Sequence, residues 1–139
     1  IRIGNTHLSA FSHGDGTLGH QAGVISGWMG SDENWLLGGD FNMLPPSDDP
    51  ARLGEEGLST YADSDNPIAI LDPTNRDVSR DDLASEEWRT YLSFGSSQPD
   101  RRLDYLFVGD RLEVVDARVM SEHSDISDHL PIIATLRVR

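Results

Sequence analysis

Apolar and polar residues alternate at the start of the chain in the way that a strand requires. In IRIGNTHLSA, Ile1 and Ile3 are separated by polar residues, so this segment is predicted to be a strand that belongs inside a sheet. NWLLGG, residues 34–39, is apolar up to its two glycines, which is typical of a strand covered on both faces. The pattern therefore predicts two strands in the first 40 residues.

A helical repeat lies between these two strands. Apolar residues recur every three or four positions from residue 18 to residue 29, with Trp28 beside the stripe. This spacing predicts an amphipathic helix over 18–29 that ends at Gly30 and Ser31. The stripe consists of Leu18, Ala22, Ile25 and Met29.

The pattern is weaker in the middle of the chain and returns near its end. Residues 45–82 are rich in Pro, Asp, Gly and Ser. This composition predicts a long connecting segment with one or two short helices, which passes over the candidate site described below. The apolar piece PIAIL within it fits either a helical turn or a strand stub. Four later segments have strand composition, and the short GDR between the second and third predicts a hairpin. They are RTYLSF (89–94), RRLDYLFVG (101–109), LEVVDARVM (112–120) and LPIIATLRVR (130–139).

Composition narrows the kind of site that the chain can carry. At 139 residues it fits one domain, and no window approaches the ~20 apolar residues of a membrane helix. Cysteine is absent, so a metal would have oxygen and imidazole ligands, which favours magnesium, calcium or manganese. The 11 basic residues are all arginine and face 24 acidic ones, and a formal charge of −13 disfavours long DNA. The compartment is left open.

Three short polar clusters stand where apolar strands end, which is where a site can be built. They are NTH at 5–7, GDFN at 39–42 and SDH at 127–129. Asp40 and Asn42, two residues apart, point to the same side of a strand and could both reach into one cleft. A lone histidine or aspartate at such a position is more often a satisfied polar residue or a cap, so the interpretation rests on the combination.

A fourth acid lies inside a strand. Asp104 is flanked by leucine and tyrosine, so it must be paired if it is buried. His129 is the best candidate partner, because a carboxylate that accepts from one imidazole nitrogen raises the basicity of the other. Asp128 would remain free, and with Asp40 it could supply oxygen ligands to a hard divalent ion. The set predicts metal-assisted attack of water on a phosphoester.

Two arginines and one further histidine are secondary candidates. Arg101 and Arg102, directly before LDYLFV, are the best basic candidates for a substrate phosphate, and pairing with the many acids is the alternative. His13 is close enough in sequence to His7 to line the same cleft.

Five segments, taken in order along the chain, share their motifs with a known superfamily. They are NTHLSAFSHGDGT, GGDFNMLPPSDDPARLG, YADSDNPI, RRLDYLFVGD and SDHLPIIA. Together they resemble the endonuclease/exonuclease/phosphatase superfamily, the metal-dependent phosphohydrolases related to pancreatic deoxyribonuclease, apurinic endonucleases and sphingomyelinases. The resemblance implies an α+β fold, an α/β sandwich. Residues 1–139 would form a single, partial domain, the C-terminal half of a four-layered two-sheet sandwich with flanking helices.

The resemblance implies roles for three residues of the first two clusters. His7 matches the strand-end histidine that contacts the scissile phosphate or helps the leaving group. Asp40 matches the aspartate that orients or deprotonates the attacking water. Asn42 matches the asparagine that hydrogen-bonds the phosphate.

It also implies roles for three residues near the end of the chain, and a cofactor. Asp104 matches the acid that pairs with the last histidine, and Asp128 matches a metal-side carboxylate. His129 matches the histidine that binds phosphate and stabilises the pentacovalent transition state. The cofactor implied is Mg²⁺ or Mn²⁺, with Asp128 and Asp40 as candidate ligands.

One departure from the family pattern keeps two functions open. Family members carry an early Asn and a metal-binding Glu on strands before the segment matched by IGNTHL, and Glu33, Glu55 and Glu56 stand in the wrong places to substitute. The first expectation is an Mg/Mn-dependent phosphoesterase acting on a small, lipid-like or nucleic-acid phosphodiester or on a phosphomonoester. The alternative is a non-catalytic half-domain or split subunit. It would need an N-terminal partner to complete the metal site, or would pair with a second copy through an exposed sheet edge.

Overall fold

The computed structural model describes residues 1–10, 14–30, 34–62, 66–72, 76–80 and 82–139. His13 lies outside these ranges. The strands are β1 (Arg2–His7), β2 (Trp35–Asp40), β3 (Asp104–Val108), β4 (Leu112–Val119) and β5 (Ile132–Val138), and the helices are α1 (Thr17–Met29), α2 (Gly54–Tyr61) and α3 (Pro67–Leu71). Short 3₁₀ turns lie at Pro50–Leu53, Glu86–Trp88 and Ser121–His123.

The first three strands form one sheet in the order β1-β2-β3. β1 runs parallel to β2, and α1 makes the crossover that a parallel pair requires. The helix predicted over 18–29 is confirmed, and its stripe packs against the sheet. β3 runs antiparallel to β2. This arrangement brings the carboxyl ends of β1 and β2 next to the amino end of β3.

The two faces of this sheet are covered differently. Trp35, Leu37, Tyr105 and Phe107 point to one face, where they pack with α1 and α3 in one apolar cluster. Leu36, Leu106 and Val108 point to the other face, where they pack with β4 and β5. β4 and β5 form a second, antiparallel sheet. The predicted α+β class with two sheets and flanking helices is therefore confirmed.

β1 differs from its prediction as an inner strand. Within the described ranges it pairs with β2 alone, so its second edge has no strand neighbour. Ile3 lies opposite Leu36 in the register, yet Ile3 is 75% exposed, because β4 and β5 do not extend over β1. Ile1 is also exposed. This corner of the sheet therefore presents an uncovered apolar face.

The predicted hairpin around GDR is wrong. The chain passes through this turn from the first sheet to the second, and β4 pairs with β5 instead of β3. The edge of β3 is already taken, because the Val78 amide donates to the Leu106 carbonyl and the Val108 amide donates to the Arg76 carbonyl. The turn sequence alone does not reveal this competition.

The segment RTYLSF is not the strand that its composition predicts. Tyr91 makes isolated bridges to Arg101 on one side and to His129 on the other, without a continuous ladder. The Thr90 and Tyr91 amides both donate to the carbonyl of Arg101, which breaks the regular alternation of a strand. In 45–82, α2 and α3 confirm the predicted short helices, and PIAIL forms α3.

No helix in the described part of the chain is long and apolar enough to cross a membrane.

Of the paired glycines in β2, Gly39 permits a close approach of backbones. Its φ of 146° lies in a region that side chains avoid, and a Cβ there would stand 1.8 Å from the Thr6 carbonyl oxygen. At Gly38, a Cβ would instead meet the Leu106 Cδ1 methyl at 3.1 Å, which is the flexible end of a side chain. The approach of β1 to β2 beside the site therefore requires glycine at 39.

We expect Gly39→Ala to destabilise the protein by more than about 3 kcal/mol, because backbone must shift to relieve the clash. Gly38→Ala is the matched control and is expected to stay within about 1 kcal/mol of wild type, since Leu106 can adjust. Urea denaturation measures both variants. Equal stability of the two alanine variants would contradict this account.

Candidate active site

The strand register places three of the predicted site residues in one row. His7 lies opposite Asp40 in the parallel pair, and Asp40 lies opposite Asp104 in the antiparallel pair. Directly opposed side chains in a sheet point to the same face. The row lies at one end of the first sheet, next to the loop that carries His129.

A cavity of about 400 Å³ opens at this row. His7, Asp40, Asn42, Asp128 and His129 all line it. Two cavities of 570 and 590 Å³ elsewhere in the described residues are lined without histidine. The smaller cavity is the better candidate, because imidazoles and carboxylates converge on it.

Asp104 and His129 form the hydrogen bond that the sequence predicts. The distance between Asp104 Oδ2 and His129 Nδ1 is 2.8 Å, and both side chains are partly buried. This bond, together with the nearby carboxylates of Asp40 and Asp128, raises the pKa of His129 above its ordinary value despite partial burial. The Tyr91 ring packs edge-on against the imidazole, with centroids 4.9 Å apart. The Nε2 atom of His129 is therefore left to face the cavity.

Asp40 presents one carboxylate oxygen to the cavity. Its Oδ1 accepts a hydrogen bond from the backbone N–H of Asn42 at 2.8 Å. Its Oδ2 lies 3.6 Å from His7 Nε2 and 3.8 Å from His129 Nε2. Burial raises the pKa of Asp40, and the carboxylate of Asp104 raises it further, against the lowering effects of the Asn42 amide and the two histidines. A carboxyl with a raised pKa is better suited to accept a proton near neutral pH.

Asn42 adopts the left-handed conformation directly after β2, with φ 50°. Its side-chain NH₂ donates to the Leu8 carbonyl at 2.9 Å, and the Leu8 amide donates to the Asp40 carbonyl. These bonds tie the end of β1 to the end of β2. The second N–H of the Asn42 side-chain NH₂ group remains for a ligand.

Three side chains are close enough to share a cation. One ligand atom each from Asp40, Asp104 and His129 lies within 4.8 Å of the others. Two carboxylates and an imidazole suit a hard or borderline divalent ion. Burial and, less strongly, the adjacent Asp104 carboxylate raise the pKa of Asp40, so a cation here would favour the charged form of Asp40. The residues therefore fit Mg²⁺ or Mn²⁺.

Asp128 lies apart from this group. Its side chain is exposed at the cavity mouth, and its carboxylate is 3.5 Å from Ser127 Oγ. It is not among the described residues that cluster as a cation site. Its backbone carbonyl accepts from the Leu92 amide, which fixes the loop that carries His129.

Arg101 and Arg102, directly before β3, pair with acidic side chains of the protein, which is the alternative to binding a substrate phosphate. The Arg101 guanidinium is bound by Asp100 and Glu56, and its side chain is 3% exposed. Arg102 is fully buried against Asp77. Arg101 therefore contributes to the cavity wall, and Arg102 lies behind the site.

Sequence reasoning missed the opposite wall of the cavity. Glu56, Thr60 and Tyr61 of α2 reach it from the long excursion, and Tyr91 reaches it from RTYLSF. The predicted placement of residues 45–82 over the site was the available signal for the first three. Nothing in the sequence distinguishes Tyr91 from a strand residue that packs in the core.

The sequence profile of the Endonuclease/Exonuclease/phosphatase family matches residues 7–129. The chain belongs to this family. Its matched region includes the whole row of site residues and His129. No curated protein sequence matches the chain significantly.

Two solved structures resemble the fold of this family member. The mannosyl-6-phosphatase Bt3783 of Bacteroides thetaiotaomicron VPI-5482 matches with a TM-score of 0.63 at 17% identity, over 96% of this chain and 49% of that one. An endonuclease/exonuclease/phosphatase from Beutenbergia cavernae DSM 12333 matches with a TM-score of 0.61 at 19% identity, over 95% of this chain and 34% of that one. The chain thus spans half or less of the length of these proteins.

We expect Asp104→Asn to lower the pKa of His129, because the main cause of its increase is lost. In the metal-free wild type, the Asp104–His129 hydrogen bond contributes fully to the free energy of unfolding below about pH 6.5, the pKa of an unfolded histidine. That contribution is lost as the pH rises through the higher folded pKa. The variant should lack this part of the pH dependence of stability.

Histidine NMR titration of metal-free protein measures the shift, and thermal unfolding at several pH values measures its effect on stability. Asp116→Asn, at an exposed carboxylate on β4, is the control and should leave His129 unchanged. An unaltered His129 pKa in Asp104→Asn would show that the hydrogen bond does not govern this imidazole.

Proposed function

We propose that this chain carries the phosphate-binding and water-activating side of a divalent-metal-dependent phosphoester hydrolase. The observation that carries the proposal is the row of His7, Asp40 and Asp104 and its bond to His129, beside a cavity that His7, Asp40 and His129 line. Membership of the family supports phosphoester hydrolysis as the reaction class.

Each residue of the row has a role that its contacts support. Asp40 Oδ2 is the free acceptor in the cavity, so it orients the attacking water and takes its proton. The hydrogen bond to Asp104 favours the protonated form of His129, which donates Nε2–H to a phosphate oxygen and stabilises the charge that builds up there. The free N–H of Asn42 donates to a second phosphate oxygen.

His7, whose Nε2 lies 3.6 Å from Asp40 Oδ2, binds the phosphate on the side of the attacking water. Water forms a bond to phosphorus, and the bond from phosphorus to the alcohol oxygen on the opposite side breaks. The departing alkoxide takes a proton from solvent. Mg²⁺ or Mn²⁺, held by Asp104 or Asp128, would supply electrostatic stabilisation of the phosphoryl oxygens.

The cavity favours a small phosphoester over long DNA. Glu56 at the wall is 64% exposed, and Asp128 at the mouth is exposed as well, so a continuing polyanion would meet two carboxylates. The Tyr61 and Tyr91 side chains offer apolar surface to an alcohol group. The similarity to a mannosyl-6-phosphatase agrees with a phosphomonoester, and a nuclease is the second substrate class.

We expect Mg²⁺- or Mn²⁺-dependent hydrolysis of members of a panel of phosphomonoesters, phosphodiesters and DNA. Asp40→Ala and His129→Ala should each lower kcat/KM by about 100-fold or more. His20→Ala and Asp116→Ala, which change the same residue types at exposed positions away from the cavity, should not. Release of phosphate or alcohol is the measurement. Activity that survives both site variants would refute the assignment.

A second candidate is a half-domain that needs a partner to complete the metal site. The observation that favours it is the edge of β1 that has no strand neighbour among the described residues, beside exposed Ile1 and Ile3, in a chain that spans about half of the mannosyl-6-phosphatase. A partner strand, from an N-terminal half or from a second copy, would pair with β1 and cover Ile3.

In this case, we expect residues 1–139 alone to self-associate and to bind Mn²⁺ weakly. Ile3→Asp should then weaken the association, because it places a charge in the covered face. Analytical ultracentrifugation and calorimetric titration of Mn²⁺, with Asp40→Ala as the control, measure the two effects. A monomeric chain that turns over substrate with metal would exclude this candidate.

A further inference from the structure

Asp104 is held on its outer side by side chains instead of by a neighbouring strand. Asp104 and Asp40 are directly opposed, and the Asp104 backbone groups point away from β2. Its amide donates to Thr90 Oγ1 at 3.1 Å. Its carbonyl accepts from Arg102 Nε at 3.1 Å. The carboxylate that orients His129 is therefore fixed through its own peptide groups.

Thr90 connects the segment of Asp104 to the segment of His129. Its side chain is completely buried, and Oγ1 accepts from the Leu103 amide at 3.2 Å as well as from the Asp104 amide. Its carbonyl accepts from the Leu130 amide at 2.7 Å, directly after His129. One residue thus sets the spacing between the donor and the acceptor of the Asp104–His129 bond.

The hydroxyl has a function that a methyl group of the same size cannot replace. Two backbone N–H groups converge on Oγ1 in a site closed to water, and buried donors without an acceptor are unfavourable. In Thr90→Val, the Leu103 and Asp104 amides would move to find other acceptors. The Asp104 carboxylate would move with them, although Thr90 itself does not line the cavity.

We propose that Thr90 is a positioning residue that keeps Asp104 and His129 in hydrogen-bonding register. The proposal rests on the proposed hydrolase function, in which His129 acts on the phosphate. Thr90 touches neither substrate nor metal, so its loss impairs the chemical step more than the binding of substrate. A merely structural threonine would affect stability without this selectivity.

The kinetic test compares Thr90→Val and Thr90→Ser with Val119→Ala. Valine removes the acceptor and keeps the shape, serine keeps the acceptor, and Val119 lies in the second apolar cluster away from the site. We expect Thr90→Val to lower kcat by about 10- to 100-fold with KM within about twofold, and Thr90→Ser to restore most of kcat. Val119→Ala should lower stability without the selective loss of kcat.

A second readout requires no activity. The proton shared by His129 Nδ1 and Asp104 gives a far-downfield ¹H resonance when the hydrogen bond is well ordered. We expect this resonance in the wild type and in Thr90→Ser, and expect it to be lost in Thr90→Val. If Thr90→Val does not fold, Thr90→Cys, with its weaker sulfur acceptor, should show a reduced resonance.

The kinetic constants and the downfield resonance together separate the proposed hydrolase function from the proposed role of Thr90. A wild-type protein that is inactive on every substrate but keeps the resonance pattern across the variants would refute the proposed function and leave the role of Thr90 intact. A Thr90→Val or Thr90→Cys protein with wild-type kcat and an unchanged resonance would overturn the proposal. So would a Thr90→Ser protein as impaired as the valine variant.

Discussion

The site depends on a pair of like charges that the fold holds side by side. Asp40 and Asp104 face each other across β2 and β3, where directly opposed carboxylates repel. His129 binds Asp104 and approaches Asp40, and His7 approaches Asp40 from the other side. The imidazoles offset part of the repulsion, and the remaining negative charge makes the row attractive to a cation. The same repulsion that costs stability therefore favours the binding of a cation.

The surrounding fold is arranged so that this row cannot relax. β2 lies between a parallel and an antiparallel neighbour, and each of its faces packs against a separate apolar cluster. Gly39 brings the Thr6 backbone closer than any side chain would allow. Behind β3, Arg102 is neutralised by Asp77 in the interior, so a buried ion pair supports the strand without adding net charge to the site.

Much of this arrangement could be predicted from the sequence, and the exceptions share a cause. The partner of Asp104 was predictable because an acid in an apolar strand must be paired, and the helix over 18–29 followed from its spacing. The predictions of a hairpin at GDR and of a strand at RTYLSF were wrong. Residue composition indicates whether a segment is buried, but it does not indicate which edge of a strand is free to pair. Residues 76–78 had already taken the edge of β3. The register that aligns His7, Asp40 and Asp104 was also beyond reach, since motifs do not specify pairing.

Between residues 88 and 92, the chain joins the two halves of the site through isolated bridges instead of a ladder. The backbone of this segment is nevertheless bonded in both directions: the Thr90 and Leu92 amides donate to the Arg101 and Asp128 carbonyls, and the Tyr91 and Thr90 carbonyls accept from the Asp100 and Leu130 amides. Because Thr90 is also completely buried, the segment cannot open while it keeps its bonds to the strand of Asp104 and to the loop of His129. An opening that separates the histidine from its acid is therefore one that also detaches this segment from one side of the site.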